Sequence, residues 1–399
     1  MFIGKNLENI RLLKGLSRKN LAESIQISEQ AVWQYEVKNM MPEINKIYDL
    51  SREFNVKTSY FLTEPKEEFH KESVDKHAIA FRASNQYVST KHLNKQFYQA
   101  IYLTNLTDYL FSFIKSPYMY IVDVVDEVEK ITKQDVTNRV IIKRVAQKAR
   151  ELLLKDKYNQ ELLFTLEKAG VIIYEKSIDK DADAFSFWSE AGVPYIILGS
   201  NKGVAVRRNF DIAHELGHLL LHKHIQFDLL THEEHKEIEN EANIFASEFL
   251  LPEQDFKEDF GKIPKKSNPD YFKVLKEKWY VSIQAMGMRA YYLDLITSSQ
   301  YRYFWSSIYK KNYKVMEPLD DEIKLMHPVK MNSLLDLLFK KKVITPQKLL
   351  DNLQVEPEFL KEIANIDYKL FDKYIEKERE EQKESLMNDF IDISNYRSK

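Results

Sequence analysis

The residues best suited to catalysis stand in one stretch, Phe210–His222, which reads F-D-I-A-H-E-L-G-H-L-L-L-H. His214, Glu215 and His218 form the pattern H-E-x-x-H, which is typical of zinc-dependent peptide hydrolases. Residues four apart on a helix share one face and lie about 6 Å apart, so both imidazoles can reach a single Zn²⁺. Glu215 then lies beside the metal, where its carboxylate can accept a proton from the attacking water. The alternative is a chance match on an amphipathic helix.

This stretch also has the composition of a deeply buried helix. Apolar side chains surround the motif at Ile212, Ala213, Leu216, Leu219, Leu220 and Leu221. Asp211 is the predicted N-cap of the helix. Gly217 lowers the stability of a helix by about 1 kcal/mol relative to alanine, so we expect another element to approach closely at that position.

A catalytic zinc needs a third protein ligand, and two nearby histidines are the first candidates. His222 lies on the same helical face as His214 but about 12 Å further along the axis, too far for both to form bonds of about 2.1 Å to one ion. His224 has the spacing of the metzincin motif, although Leu221 replaces the glycine with which that motif reverses the chain. His224 therefore stays an alternative.

Glu239 satisfies both reach and chemistry as the third ligand. The chain between the motif and Glu239 is long enough to form the end of the first helix, a polar loop and the start of a second helix. The second helix can then pack beside the first. His232 and His235 fall in that loop, where we expect solvated side chains. Asn243, one turn after Glu239, is placed to hold a metal-binding histidine in position. Glu241 points about 160° away from Glu239 around the helix and is expected to face solvent.

Several segments resemble the ImmA/IrrE metallopeptidases, over roughly residues 160–255. They are Asp183–Ser186, Arg208-x-Phe210, Ala213–His222, and Glu239-x-x-Ala242-Asn243-x-Phe245-Ala246 closing on Leu250-Leu251-Pro252. The resemblance implies a gluzincin-like peptidase of bacteria, phages and mobile elements that cleaves a DNA-binding repressor. It also implies that fusion to an Xre-like segment is a normal arrangement.

A small sheet is predicted beside the motif. Five of the nine glycines fall in this region and indicate its turns, at Gly170, Gly192, Gly199, Gly203 and Gly217. Strands are predicted at Val171–Tyr174, Ala184–Trp188 and Tyr195–Leu198, after a helix Glu161–Ala169 that ends at the C-cap Gly170. A sheet edge beside a zinc helix can bind a peptide as an additional strand.

The first 64 residues form five short predicted helices. They are Ile3–Lys14, Ser17–Ile25, Ser28–Val37, Glu43–Phe54 and Thr58–Leu62, of which the second and third have helix-turn-helix spacing. This segment resembles the Xre/Cro/cI repressors in Leu21-Ala22-Glu23, Ile27-Ser28, Val32, Tyr35-Glu36 and Pro42. Gln26 stands where that family usually has glycine, which we expect to cost about 1 kcal/mol of backbone strain.

The resemblance implies that this segment binds double-stranded DNA. Base edges would meet the start of the recognition helix at Ser28, Glu29, Gln30 and Gln34, and glutamine can pair bidentately with adenine. Phosphates would meet Arg11, Lys14, Arg18, Lys19 and Lys38. Because basic residues only slightly outnumber acidic ones here, a module for protein contact is the alternative.

The net charge, the cysteine count and the apolar runs of the sequence exclude several classes of site. With a formal net charge of -2, the protein as a whole is not attracted electrostatically to nucleic acid. Any contact with DNA must therefore be made by a local basic patch. The absence of cysteine excludes disulfides, thiolate metal sites and cysteine nucleophiles. No signal peptide opens the chain and no apolar run reaches the about 18 residues that span a bilayer, so we predict a cytoplasmic protein without membrane contact.

The sequence predicts a mostly α fold in five parts. These are a helix-turn-helix domain at 1–64, a helical connecting region at 65–160, an α+β zinc peptidase core at 161–255, a helical helix-turn-helix-like unit at 256–318 and a helical region at 319–399. Helices in the last two parts are predicted at Phe272–Trp279, Val281–Tyr292, Gln300–Tyr309, Ser333–Lys340, Pro346–Leu353, Glu356–Ile363 and Glu376–Glu384.

Two classes of function fit these features. The first is a zinc endopeptidase that cleaves a repressor and carries its own DNA-binding domain, with a homodimer as a candidate assembly. The second is an Xre-type transcriptional regulator, or a toxin–antitoxin or phage-defence component, with a sensory zinc site. Glu215 discriminates between them, because a sensory site needs no carboxylate beside the metal.

Overall fold

The computed structural model describes residues 1–64, 74–75, 90–115, 118–132, 139–155, 158–176, 184–199 and 203–395. Among these residues the fold is mostly helical with one small sheet, which confirms the predicted fold class. Asp183, the first residue of one predicted motif, lies outside the described residues. The chain forms two compact units.

The first unit combines the N-terminal helices with the C-terminal ones. It contains α1 Gly4–Leu13, α2 Arg18–Ser24, α3 Glu29–Lys38, α4 Ile44–Phe54, α5 Thr90–Phe111, α15 Lys330–Lys340, α16 Pro346–Leu353, α17 Pro357–Ala364 and α18 Tyr368–Asn395. A 3-10 helix, Thr58–Phe61, follows α4. The predicted N-terminal helices are present within two residues of their expected bounds.

The second unit contains the residues that we predict to be catalytic. Its helices are α6 Ile121–Thr132, α7 Arg139–Leu153, α8 Leu162–Ala169, α9 Ala205–Leu221, α10 His232–Leu250, α11 Glu253–Gly261, α12 Lys273–Trp279, α13 Ile283–Tyr292 and α14 Ser298–Lys310. Its strands are β1 Ile172–Glu175, β2 Phe185–Trp188 and β3 Pro194–Leu198. The boundaries of the five parts derived from the sequence remain predictions.

Helices α2 and α3 form the helix-turn-helix through local capping. Ser17 accepts a hydrogen bond from the Asn20 backbone N–H at the start of α2, and Ser28 accepts one from Ala31 at the start of α3. Gln26 in the turn has a φ of 55°, the left-handed conformation expected at this position. The turn therefore keeps its geometry without glycine.

The C-terminal helices complete the first unit by backbone pairing with the segment after α4. Val56 and Val355 form an antiparallel bridge, and the Lys57 N–H donates to the Gln354 carbonyl at 2.9 Å. Lys14 of α1 forms an ion pair with Glu362 of α17. The N-terminal helices are thus packed against residues that follow them by some 300 positions.

The sheet has the order β1-β3-β2, with β1 parallel and β2 antiparallel to β3. Ile172 pairs with Tyr195 in the first ladder, and Phe185 pairs with Ile197 in the second. Gly170, with a φ of 111°, ends α8 just before β1, as predicted. Strand β2 lies at one edge of the sheet as far as the described residues go.

Candidate functional site

Helix α9 begins at Ala205, six residues before the expected N-cap Asp211. The polar residues that precede Asp211 are accommodated inside the helix by tertiary partners. Arg208 forms an ion pair with Glu175 of β1 at 2.6 Å, and Asn209 donates hydrogen bonds to two backbone carbonyls. The prediction that Asp211 is the N-cap was therefore wrong. Arg208 and Asn209 find their partners in residues distant in sequence, and these contacts allow the helix to begin earlier.

Helix α10 begins at His232, where we had expected a loop. Thr231 and Glu234 form a capping box, in which the Thr231 side chain accepts from the Glu234 N–H and the Glu234 carboxylate accepts from the Thr231 N–H. This box starts the helix two turns before Glu239. His235 therefore lies on the first turn of α10, and the loop interpretation was wrong.

The two helices bring together three side chains that could hold a metal ion, and we call them the candidate metal-binding group. His214 Nε2 lies 3.1 Å from His218 Nε2. One carboxylate oxygen of Glu239, Oε2, lies 3.4 Å from His214 Nε2. The other, Oε1, lies 3.3 Å from His218 Nε2. Among the described residues, these three form the group whose donor atoms are arranged to hold a metal ion.

The spacing of these donor atoms fits zinc. Two ligand atoms that each lie 2.0–2.1 Å from one ion at a tetrahedral angle are about 3.3 Å apart. The separations of 3.1–3.4 Å lie close to that value, with each histidine nearest to a different oxygen of Glu239, and the set of two imidazoles and one carboxylate is one that zinc enzymes use. Burial raises the pKa of Glu239, but the hydrogen bonds from His214 and His218 outweigh it and hold that pKa well below its usual range.

Glu215 is almost completely buried beside His214 and is not one of the three metal-binding residues. Its backbone carbonyl accepts a hydrogen bond from Ser186 Oγ of β2 at 3.3 Å. Trp188 Nε1, at the end of the same strand, donates to the Leu219 carbonyl at 3.0 Å. Strand β2 is therefore held along the helix that carries the motif.

Three further side chains hold the two histidines, and two of them were missed from the sequence. Asn243 Oδ1 lies 3.0 Å from His214 Nδ1, where we expected an orienting residue. His222 Nδ1 lies 3.0 Å from His218 Nδ1, and His222 Nε2 lies 2.9 Å from a Glu241 carboxylate oxygen. Glu241 is 8 % exposed, so the prediction that it faces solvent was wrong. The position of His222 one turn after His218 was the available signal.

His222 itself does not join the metal-binding group, as its distance along the helix predicted. Burial lowers its pKa, and this effect exceeds the raising effect of the hydrogen bond to Glu241. His224, the metzincin alternative, has an 81 % exposed side chain near Glu129 and lies outside the group.

The close approach predicted at Gly217 comes from α10. A Cβ atom at this position would lie 3.0 Å from Cδ1 of Phe245. Phe245 stacks in turn on Phe249, one turn later on α10, with ring centroids 5.7 Å apart. The glycine therefore lets α9 and α10 approach closely enough for Glu239 to reach the histidines.

The far end of α10 is fixed by buried polar contacts that the sequence did not suggest. Glu248 forms an ion pair with Arg289 of α13, which also donates to the Leu251 carbonyl. Arg150 of α7 donates to the Phe249 carbonyl at 2.8 Å. Burial lowers the pKa of Arg150 to about 10, so it remains charged at neutral pH. These contacts fix the position of the helix that carries Glu239.

A cavity of about 740 Å³ opens beside these helices. Asp211, Glu241 and Asn243 line it, while none of the three metal-binding residues does. Its basic side chains include Arg139 and Arg207, and its apolar floor is lined by Phe210, Ile244, Met288, Tyr292 and Trp305. It is a space next to the metal-binding group rather than around it.

The residues expected to contact DNA divide into two sets. Ser28, Glu29, Gln30, Lys19 and Lys38 are exposed, whereas Gln34 and Arg18 are half-buried. Arg18 shares the carboxylate of Glu36 with Arg11, which is buried. Arg11 and Lys14 are already engaged by Glu36 and Glu362, and the expected phosphate contacts stay a prediction.

Comparison with known families agrees with both motif regions. Residues 166–291 match the peptidase family described as the IrrE N-terminal-like domain, and residues 7–61 match the helix-turn-helix family. The chain carries an IrrE-like peptidase domain and an Xre-type helix-turn-helix domain. Both resemblances predicted from the residues are thereby confirmed. A search of curated proteins gave no match.

The IrrE-like domain contains the sheet together with α9 and α10, so the metal-binding group lies inside it. This domain is of the metallopeptidase kind, and the helix-turn-helix domain is of the DNA-binding kind. In the described part of the chain, no helix combines the length and apolar character needed to cross a bilayer.

Proposed function

We propose that this chain is a zinc-dependent endopeptidase whose metal is held by His214, His218 and Glu239. The observation that carries the proposal is the separation of their donor atoms, 3.1–3.4 Å, on two helices that other contacts fix in place. Three protein ligands leave a fourth position for water or substrate, as catalytic zinc sites require.

Zinc in this site would supply a Lewis acid that polarises the scissile carbonyl and makes a water nucleophilic at neutral pH. Glu215 accepts the proton of the attacking water and afterwards donates it to the leaving amine. Its burial keeps bulk water from competing for the carboxylate, and its neighbour His214 places it beside the reacting atoms. A sensory or structural metal site would have no use for this carboxylate.

The substrate enters as an extended segment beside β2. That strand lies at an edge of the described sheet, and its hydrogen bonds to the Glu215 and Leu219 carbonyls hold it along α9. A peptide that pairs with a sheet edge is bound through its main chain, which suits cleavage of a protein at an exposed segment.

The protein substrate is a DNA-binding repressor, and the helix-turn-helix domain accounts for this choice. When one chain carries both a DNA-binding module and a peptidase, DNA binding raises the local concentration of the peptidase near other proteins on the same DNA. Cleavage then controls transcription of a mobile element or of a stress response.

The test is cleavage of the Xre-type repressors encoded beside this chain's gene. Purified chain should cleave one of them, removal of zinc with a chelator should stop the reaction, and zinc should restore it. Intact-mass spectrometry gives the cleavage site and the rate. If the zinc-loaded chain leaves every such repressor intact, the substrate proposal is wrong, even if zinc binding itself is observed.

Replacing Gln30 and Gln34 together by alanine should remove the DNA sequence preference of the full-length chain. Each bidentate glutamine–adenine pair contributes about 1–3 kcal/mol of discrimination, whereas lysine–phosphate contacts are independent of sequence. A preferred duplex is first selected from a random library, and its affinity is then compared with that of a scrambled duplex.

The matched control is replacement of the exposed Lys19 and Lys38 by alanine. This change should weaken binding to both duplexes equally and reduce the dependence on salt. If the glutamine variant also weakens both duplexes equally, these glutamines do not read bases.

A further inference from the structure

A row of five aromatic rings joins the end of α13 to one face of α14. Tyr291 stacks on Tyr301, with ring centroids 4.2 Å apart, and Tyr292 lies beside Tyr291 at 6.2 Å. On α14 the Trp305 ring lies 6.1 Å from Tyr301 and 6.4 Å from Tyr309. These last three residues follow one another at intervals of four, so they share one face of the helix. The rings therefore form a continuous aromatic surface.

A cation lies over the ring at each end of this row. Arg139 Cζ is 5.8 Å from the ring centroid of Tyr292, and Lys314 Nζ is 5.7 Å from that of Tyr309. The two end rings are 59 % and 62 % exposed. Exposed flat rings beside positive charge are the combination on which proteins stack nucleic-acid bases and neutralise phosphates.

Part of this surface lines the cavity of about 740 Å³ beside α9 and α10. The lining residues include two of the rings, Tyr292 and Trp305, and both of the cations, Arg139 and Lys314. Arg207 of α9 brings a third cation, because its guanidinium donates to the Lys314 carbonyl at 3.2 Å and so lies next to that lysine. The volume is within the range of about 300–1,000 Å³ that is usual for small-molecule sites.

The three cations differ in their partners from the rest of the cavity. Among the described residues, no carboxylate forms an ion pair with Arg139, Arg207 or Lys314. The other two cations of the lining are neutralised, since Lys143 pairs with Glu253 at 2.8 Å and Arg289 pairs with Glu248. The segment 295–316, which contains α14, has four basic residues and no acidic one. This side of the cavity is therefore positively charged, although the chain as a whole is not.

Three carboxylates also line the cavity, and all of them stand on α9 or α10. They are Asp211, Glu237 and Glu241. A carboxylate repels phosphate, but it accepts hydrogen bonds from the hydroxyl groups of a ribose or the amino group of a base. The lining thus has rings for a base, acceptors for the donors of a nucleoside, and cations for a phosphate.

We infer that this cavity is a nucleotide-binding site, in which the base stacks on Tyr292 and Trp305 and the phosphate binds Arg207 and Lys314. A free nucleotide and a nucleotide within a single strand offer the same chemistry. Duplex DNA does not, because its bases are already stacked on one another. The inference goes beyond the proposed function and does not depend on it, since no residue of the candidate metal-binding group lines the cavity.

Isothermal titration of the full-length chain tests the inference with two sets of probes. The first set is the four ribonucleoside 5′-monophosphates, and the second is six-nucleotide single strands of deoxyadenosine or of deoxythymidine. At least one probe should bind with a Kd below about 1 mM. The set that binds more tightly identifies the source of the nucleotide. If none of the probes binds at millimolar concentration, the inference is overturned.

Two substitutions place the bound probe in the cavity. Tyr292→Ala should weaken binding by about 5–150-fold, the effect of losing one ring that stacks on a base, whereas Tyr292→Phe should retain the affinity. Lys314→Ala should weaken binding and reduce its dependence on salt. The matched controls are Tyr303→Ala and Lys310→Ala, because both residues are exposed on α14 and neither lines the cavity.

The controls should bind the probes as the parent chain does. Replacing Lys19 and Lys38 by alanine should also leave this affinity unchanged, which separates the cavity from the helix-turn-helix segment. If the Tyr303 and Lys310 variants lose as much affinity as the Tyr292 and Lys314 variants, the probe binds elsewhere and the inference is wrong.

Trp305 supplies a spectroscopic readout of stacking. A base stacked on its indole should quench the fluorescence of this residue. Trp305→Phe keeps a ring, so it should retain most of the affinity and lose that part of the quench. An equal quench in the parent and in this variant would contradict the placement of the base. If no probe binds and the Tyr292 and Lys314 variants instead raise the KM for a cleaved repressor, the cavity holds the peptide substrate.

Discussion

Replacing Glu215 by glutamine should lower the rate of repressor cleavage by about 10²–10⁴-fold, the usual contribution of a general base, and leave zinc affinity unchanged. Glutamine has nearly the same shape, so it fits the buried position of Glu215 beside His214. Its amide cannot accept a proton from the attacking water. Zinc should remain bound because the proposed ligand atoms belong to His214, His218 and Glu239. Cleavage rates and zinc titration on the same preparations give both quantities.

Glu190→Gln is the matched control, since Glu190 is exposed in the turn between β2 and β3. It should leave both cleavage and zinc affinity at the level of the parent chain. Cleavage by the Glu215 variant at the rate of the parent would contradict the catalytic role. The site would then fit better a regulator whose zinc is sensory.

Replacing Glu239 by alanine should weaken zinc binding by more than the 10–100-fold that loss of an orienting partner costs. The change removes one of three donors and leaves two imidazoles, which cannot complete a tetrahedral site alone. The Glu239 side chain is 22 % exposed, so alanine leaves no closed cavity. Isothermal titration with zinc measures the affinity, and the melting temperature of the metal-free chain checks the fold.

Glu233→Ala provides the comparison for this change, because Glu233 is an exposed carboxylate on the same helix. It should bind zinc as the parent does. If Glu239→Ala retains the affinity of the parent chain, the third ligand lies elsewhere and the proposed site is incorrect.

Features that depend on neighbours in sequence could be predicted accurately. Helix ends marked by Ser17, Ser28 and Gly170 were found where serine caps and a glycine C-cap indicated them. The position of Glu239 followed from the length of chain between two helices. The approach of α10 to Gly217 followed from the energetic cost of a glycine within a buried helix.

Features that depend on distant partners could not be predicted. The orientation of Glu241 was inferred from its own helix, but its partner His222 lies 19 residues earlier on α9. Arg11 was assigned to phosphate, yet Glu36, 25 residues later, engages it inside the core. The start of α10 is a different case. Thr231 and Glu234 signal it locally, and the charge of the surrounding residues led us to assign a loop.

The pairing of Val56 with Val355 has a consequence for genetics. The helix-turn-helix segment depends on helices encoded by the last part of the gene, which supply partners for Lys14, Val56 and Lys57. A nonsense mutation after codon 328 would spare every residue of that segment and of the peptidase motif, yet remove these partners. A truncated allele that loses DNA binding should therefore not be taken as proof that the deleted residues contact DNA.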